Sequence, residues 1–173
     1  MDLRYPIGKF EKPELIDDKQ LSDWIKIIAD FPREIIRETE LLTTEQLNTP
    51  YREGGWTIRQ VVHHCADSHM NAFMRFKLAL TETDPVIRPY HEALWAELPD
   101  CSLALEPSYN VLKGLHERWS KLLESLEKED LKRTFIHPER KQQLSLDVAI
   151  GMYAWHSRHH LTHITVLKGT KGW

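Results

Sequence analysis

The sequence predicts an all-α protein that folds as a single four-helix bundle. Four segments of about 20 residues each place apolar side chains at spacings of three and four, the pattern of a helix with one buried face. One long connection, residues 81–107, leaves room for a crossover between helices. No repeat or change of composition divides the chain, so residues 1–173 are predicted to form one domain.

The chain is predicted to begin with an arm and a first helix. Residues 1–16 contain two prolines and little periodicity, so we expect an extended N-terminal arm on the surface. The first helix begins near Asp17. Pro32 lies inside this helix and lacks an amide hydrogen, which predicts a kink or break near Asp30. The apolar face consists of Leu21, Trp24, Ile25, Ile28, Phe31, Ile35 and Leu42.

The second helix has a clear start. Thr57 and Gln60 form a predicted capping box directly after the Gly54-Gly55 turn, and Pro85 stops any continuation. Its inward face consists of Ile58, Val62, Cys65, His69, Ala72, Phe76 and Leu80.

The connection at 81–107 is long for a compact domain. It contains HEALWAEL, a short amphipathic piece that predicts two turns of helix. Connections of this length are usually functional lids or crossovers, and Arg88, Tyr90 and Trp95 are candidate lid residues. A structural loop packed on the bundle is the alternative for each of them.

The remaining two helices complete the bundle. The third is predicted from about Ser108 to Lys128. Residues 129–144 include FIHPERKQQL, whose proline turn and polar flanks predict a small hairpin, and Ser145 offers an N-cap for the last helix. The predicted apolar face of that third helix consists of Val111, Leu112, Leu115, Trp119, Leu122 and Leu126.

Composition narrows the class of protein. Apolar residues make up 41% and charged residues 28%, with a net charge of -3 and no basic stripe, which disfavours nucleic-acid binding. Apolar runs are only a few residues long, far short of the roughly 20 that a membrane span needs. Cys65 and Cys101 have no metal or redox spacing, and no apolar leader is visible. We therefore expect a cytoplasmic protein without disulfides.

Histidines are concentrated in the last helix. The stretch WHSRHHLTHI, residues 155–164, holds four of the ten histidines. An advance of about 100° per residue places His156, His160 and His163 on the inward face with Met152, Tyr153 and Leu167, and His159 at its edge. A single inward histidine is usually a core residue bonded to a carbonyl. Three of them on one face would leave several nitrogens unsatisfied, which favours a metal ion or a polar network.

A metal site needs a ligand from another helix, and the second helix offers several. The segment VVHHCADSH contains His63, His64, Asp67 and His69. Helix phase places His69 nearest the centre of the inward face, His64 toward one edge, and His63 with Asp67 on the outer side. Periodicity alone therefore favours His69 and leaves the choice open.

The frames GGWTIRQVVHHCADSHMN, LHERWSKLLESL and IHPERKQQLSLDVAIGMYAWHSRHHLTHI resemble the DinB-like superfamily, most closely its YfiT-type branch of metal-dependent hydrolases. The resemblance implies a four-helix bundle with an unusual connection order and, commonly, a homodimer. It also implies three ligands: His64, eight residues after Trp56, and the HxxxH pair His156 and His160. This assignment replaces the phase preference for His69.

Three neutral imidazoles with an open coordination position are typical of a catalytic site. We expect one divalent ion per chain, Zn²⁺ first and Ni²⁺ second. An activated water would serve hydrolysis of a small molecule. For proton transfer the nearby candidates are His163, His159, His69 and Asp67, with His163 best placed by phase.

Other functions remain open at this point. The superfamily also includes S-transferases that use a low-molecular-weight thiol such as bacillithiol, and the chain is similar to these as well. The same site would then activate the thiol for attack on an electrophile. A metal-binding or sensor protein without turnover is a third hypothesis. A di-iron carboxylate bundle and a zincin protease are disfavoured, because the sequence contains neither a Glu-x-x-His nor an HExxH motif.

Overall fold

The computed structural model describes residues 2–139 and 141–173, and most of them are helical. Among these residues, four long helices form a bundle and three short helices and one hairpin lie in the connections. The long helices are α1 (Asp18–Thr39), α3 (Ile58–Thr81), α5 (Glu106–Glu124) and α7 (Leu146–Lys171). The short helices are α2 (Thr44–Leu47), α4 (Glu92–Trp95) and α6 (Lys128–Leu131), and the strands are β1 (Thr134–His137) and β2 (Gln142–Ser145). This confirms the predicted fold class.

The order of the helices around the bundle differs from the simple up-down arrangement. α1 packs closely against α5 and α7, and α3 packs closely against the same two helices. The successive long helices α1 and α3 therefore occupy opposite corners, with α5 and α7 between them. In a simple up-down bundle, by contrast, successive helices are neighbours. The connection order is unusual, as the sequence analysis expected.

The start of α3 follows the predicted capping box. The backbone N–H of Gln60 donates to the Thr57 hydroxyl over 3.1 Å, and the Thr57 N–H donates to the Gln60 side-chain oxygen over 3.0 Å. Two amides that lack helical partners are thereby satisfied. Because this cap fixes where α3 begins, it also fixes the position of each histidine along the helix.

The predicted break near Asp30 is wrong, because α1 runs without interruption from Asp18 to Thr39 with Pro32 inside it. Proline removes the hydrogen bond that the Ile28 carbonyl would normally accept. In the structure, this carbonyl accepts instead from the Nδ1 atom of His116 on α5 over 2.6 Å. A side chain from a neighbouring helix therefore replaces the missing helical bond.

The two irregular segments contain the expected secondary structure in part. The hairpin predicted within residues 129–144 is present, with β1 and β2 antiparallel and Phe135 opposite Leu144. Within the 81–107 connection, the HEALWAEL piece forms only one turn, α4, followed by a 3-10 turn at Pro99–Ser102. Residues 2–16 contain turns and extended segments, and the Gly8 carbonyl accepts from the Trp155 indole over 3.2 Å.

The apolar core is divided into two clusters along the bundle. One includes Phe76, Trp119 and Ile150, and the other includes Ile58 and Ile164. His69 on α3, His116 on α5 and the histidines of α7 lie between these clusters, whereas His63 and His64 lie beside Val62 and Cys65 of the second cluster. Within the described residues, none of the helices has the length and apolarity that a membrane crossing requires.

Helix α7 packs closely against Trp24 of α1 at Gly151, and this contact gives a first prediction. A Cβ atom at Gly151 would lie 2.7 Å from the Trp24 ring, too close for any real contact. We expect Gly151→Ala to lower the free energy of unfolding by about 1–3 kcal/mol through overpacking. Gly114→Ala is the control, because Gly114 is exposed in α5 and a Cβ there would have nothing within 4 Å. The free energy of unfolding of this control should rise by up to about 1 kcal/mol, since alanine favours the helix more than glycine does. Urea unfolding measures both, and equal effects would contradict the close packing.

Candidate metal centre

Three histidines from α3 and α7 meet between the two apolar clusters. His64, His156 and His160 each offer one ring nitrogen, and these three atoms lie within 4.8 Å of one another. The Nε2 atoms of His64 and His156 are 3.3 Å apart. His156 and His160 lie one turn apart on α7, with ring centroids separated by 4.4 Å. The structure therefore brings together the three residues that the resemblance implied as ligands.

The geometry of this group fits a single divalent ion. Two imidazole nitrogens that bind one tetrahedral metal at 2.0–2.1 Å are separated by about 3.3 Å. The Nε2 atoms of His64 and His156 already have this separation. Nitrogen donors of this type suit zinc, nickel, iron and copper.

Burial keeps the three rings in the form that binds metals. It lowers the pKa of His64 to about 4, and the neighbouring His159 adds a smaller effect in the same direction. Burial also holds the pKa values of His156 and His160 well below the ordinary range, with nearby histidines again adding to the effect. All three imidazoles are therefore neutral at pH 7 and carry a free lone pair.

His69, which helix phase favoured as a ligand, lies directly behind His156. Its Nε2 atom is 3.0 Å from His156 Nδ1, and its Nδ1 atom is 2.8 Å from His116 Nε2. Both nitrogens of His69 are thus engaged by other histidines. Helix phase correctly placed this ring at the bundle centre, where it supports His156.

His63, the neighbour of His64, faces away from the centre. Its Nδ1 atom is 2.7 Å from the Ser108 hydroxyl and its Nε2 atom is 3.3 Å from the Leu103 carbonyl. Since a carbonyl can only accept, Nε2 carries the hydrogen and Nδ1 accepts from Ser108. His63 is buried, whereas helix phase had placed it on the outer side.

The predicted proton-transfer residue His163 lies next to the three-histidine group. His159, His160 and His163 form a second set whose ring nitrogens also lie within 4.8 Å of one another. The His163 ring stacks on Tyr51 with centroids 3.9 Å apart. Among the described residues, neither nitrogen of His163 makes a well-aligned hydrogen bond, although the backbone of Leu3 and Arg4 interacts with the ring. Burial lowers its pKa to about 4.

Asp67, the other predicted catalytic residue, is placed differently. Neither histidine set within residues 2–139 and 141–173 includes it. Burial raises the pKa of Asp67 to about 6, and the negative charge of Asp100 adds to this rise. Asp100 belongs to the 3-10 turn of the long connection, so the charge of that turn acts on Asp67.

A cavity opens beside the three-histidine group. It has a volume of about 460 Å³ and is lined by residues of α3, α7, the hairpin and the long connection, including Ser68, Arg75, Tyr90, Tyr153 and His156. Ser68 Oγ lies 3.5 Å from His156 Nε2, and Arg75 donates to the Tyr153 hydroxyl over 3.0 Å. A cavity of this size accommodates a small molecule.

Several residues around the centre could not be identified from the sequence. Ser68 and Arg75 gave no signal because both are ordinary helix residues. His116 lies in the LHERW frame, but its role depends on a carbonyl in another helix. Tyr90, a candidate lid residue with a structural loop as the alternative, lines the cavity and packs against Trp95 with ring centroids 4.5 Å apart.

The fold and the site define a class of protein, a four-helix bundle with a buried histidine cluster suited to binding a metal. The particular family follows from sequence: the pattern of the DinB superfamily matches residues 30–164, and the chain belongs to this superfamily.

Close relatives support the same conclusion. A protein of Bacillus cereus strain ATCC 10987, named "Putative metal-dependent hydrolase", is 54% identical over 172 residues and the match covers 99% of both chains. A Bacillus anthracis strain CDC 684 protein with the same name is 53% identical with the same coverage. The solved structure of YfiT from Bacillus subtilis, described as "a probable metal-dependent hydrolase with an unusual four-helix bundle topology", has a TM-score of 0.97 and 48% identity. That match covers 100% of this chain and 99% of YfiT.

The buried histidines predict a pH dependence of stability for the metal-free protein. Burial lowers the pKa values of His64 and His116 from 6.5 to about 4. Between pH 6.5 and 4 the unfolded chain binds protons that the native chain does not, so stability falls as the pH falls. Each such histidine contributes up to about 1.4 kcal/mol per pH unit.

The His116→Gln variant isolates one of these contributions. Its stability should depend less steeply on pH in this window, by up to about 1.4 kcal/mol per pH unit. Urea unfolding of chelator-treated protein from pH 4.5 to 7 measures the slope. His91→Gln, changed at an exposed histidine, is the control and should keep the wild-type slope. An unchanged slope in His116→Gln would contradict the buried neutral state.

Proposed function

We propose that this protein is a metal-dependent hydrolase of a small molecule, with one divalent ion held by His64, His156 and His160. Zn²⁺ is the first choice and Ni²⁺ the second. The observation that carries the proposal is the 3.3 Å separation of the Nε2 atoms of buried His64 and half-buried His156, with a third histidine nitrogen within 4.8 Å. The names of the close relatives support it.

A divalent ion with three imidazole ligands and an open position supplies a Lewis acid and a water of lowered pKa at neutral pH. The protein's own residues bind and orient the substrate and exclude water. The cavity beside His156 admits a small molecule, and Arg75 and Tyr90 line its wall with polar groups that orient a bound substrate. The surrounding helices exclude bulk water from the buried rings, which strengthens polar interactions there.

Proton transfer is assigned to His163, with Asp67 as the second candidate. Neither nitrogen of His163 makes a well-aligned hydrogen bond among the described residues, although the backbone of Leu3 and Arg4 interacts with the ring. A neutral imidazole can accept a proton at one nitrogen while the other carries a hydrogen. The pKa of Asp67, about 6, suits a general base, but Asp67 belongs to neither histidine set of the described residues. His163 adjoins the proposed ligand His160, with ring centroids 5.5 Å apart, and is therefore preferred.

The ligand assignment predicts which substitutions remove the metal. Protein purified without a metal-affinity tag should contain about one divalent ion per chain by elemental analysis. His160→Ala and His64→Ala should lose most of it, because two remaining imidazoles bind weakly. His63→Gln is the matched control, since His63 bonds to Ser108 and Leu103 instead. Full retention of metal in a His156→Ala, His160→Ala double variant would refute the assignment.

The reaction class requires a separate test. We expect the metal-loaded protein to hydrolyse members of an ester and amide panel without added thiol, and His163→Gln to reduce kcat by about 100-fold or more while metal content is unchanged. The same panel should be repeated with bacillithiol, following the visible spectrum of the cobalt-substituted protein. A spectral change with bacillithiol and thiol-dependent turnover would favour the S-transferase alternative. Absence of turnover in both assays would favour a metal-binding protein without catalysis.

The surroundings of the protein are also proposals. We place it in the cytoplasm, and both cysteines are buried free thiols, which suits a reducing compartment. Homodimer formation is carried over from the family resemblance.

A further inference from the structure

Three histidine rings connect the candidate metal centre to the backbone of α1. His156 Nδ1 lies 3.0 Å from His69 Nε2, and His69 Nδ1 lies 2.8 Å from His116 Nε2. His116 Nδ1 lies 2.6 Å from the Ile28 carbonyl oxygen. We call His116, His69 and His156 the histidine row. His69 and His116 are 0% and 1% exposed, so water does not compete for these contacts.

The carbonyl at the end of the row fixes the direction of every bond in it. An oxygen without hydrogen can only accept, so His116 must carry its hydrogen on Nδ1. A neutral His116 then has a lone pair on Nε2 and accepts from Nδ1–H of His69. His69 in turn accepts at Nε2 from Nδ1–H of His156. The opposite direction would set two lone pairs against each other at 2.6 Å, where His116 meets Ile28.

The Ile28 carbonyl is available because of Pro32. In a helix without proline, this oxygen would accept from the backbone amide four residues later. At that position Pro32 has no amide hydrogen to donate. A buried carbonyl without a partner is costly, so the position demands a donor from elsewhere. His116 supplies it from α5.

We propose that His69 and His116 are positioning residues that fix the tautomer of His156, holding its hydrogen on Nδ1 and its Nε2 lone pair toward His64. The inference rests on the proposed metal site and explains how one of its ligands is prepared. Metal-binding histidines generally donate their second nitrogen to a carboxylate or a carbonyl. Here the acceptor is a histidine, and the carbonyl is reached two rings further on.

The first experiment uses the unaltered, metal-free protein. Long-range ¹H–¹⁵N correlation spectra distinguish the two neutral imidazole tautomers. We expect His116, His69 and His156 all to carry the hydrogen on Nδ1 at pH 7. A hydrogen on Nε2 of His156 would overturn the proposal, and this measurement requires no variant to fold.

A pair of substitutions at His116 tests the consequence for metal binding. His116→Leu removes both the donor to Ile28 and the acceptor for His69, and should weaken zinc binding by about 10-fold or more in competition with a fluorescent chelator. His116→Gln retains a donor and an acceptor, and should restore most of the affinity and the Nδ1–H form of His156. Circular dichroism establishes that both variants are folded.

The outcomes separate this inference from the hydrolase proposal. Wild-type zinc affinity in folded His116→Leu, with His156 still in its Nδ1–H form, would overturn the positioning role. If the tautomers and affinities follow expectation but no ester or amide is hydrolysed, the positioning role stands and only the hydrolase proposal fails.

Discussion

The structure depends on a layer of imidazoles buried in the middle of a helical bundle. Apolar clusters on both sides exclude water from this layer, and each ring brings two polar nitrogens that need partners. Buried polar groups without partners are costly, and the packing of the helices supplies partners for both nitrogens of His69 and His116.

The unusual connection order makes the histidine row possible. α5 packs between α1 and α3, and α3 packs against α7, so the row passes from Ile28 through His116 and His69 to His156 across successive helix interfaces. In a bundle with α1 beside α3 and α5 beside α7, at least one of these contacts would have to join two helices at opposite corners of the bundle. Topology and the orientation of His156 are therefore linked.

Local signals predicted much of the fold, whereas contacts between helices were beyond reach. The Thr57 cap and the apolar spacing of the four long helices are properties of short segments, and these predictions are confirmed. The same kind of local rule predicts a kink or break near Asp30, and no break occurs, because the compensating donor, His116, lies 88 residues away from Ile28 along the chain. Helix phase likewise found that His69 faces the centre but had no means of telling a ligand from a residue behind it.

His63 and His64 show why residue type and burial do not identify a ligand. They are adjacent on α3 and nearly equally buried. The Ser108 hydroxyl and the Leu103 carbonyl engage both nitrogens of His63, whereas His64 directs Nε2 toward His156 Nε2. The same reasoning separates His69, engaged by rings on both sides, from His156, whose Nδ1 is engaged and whose Nε2 faces His64. His156 therefore differs from these neighbours because a buried ring engages one of its nitrogens while the other faces His64, and this difference depends on helix packing as well as on sequence spacing.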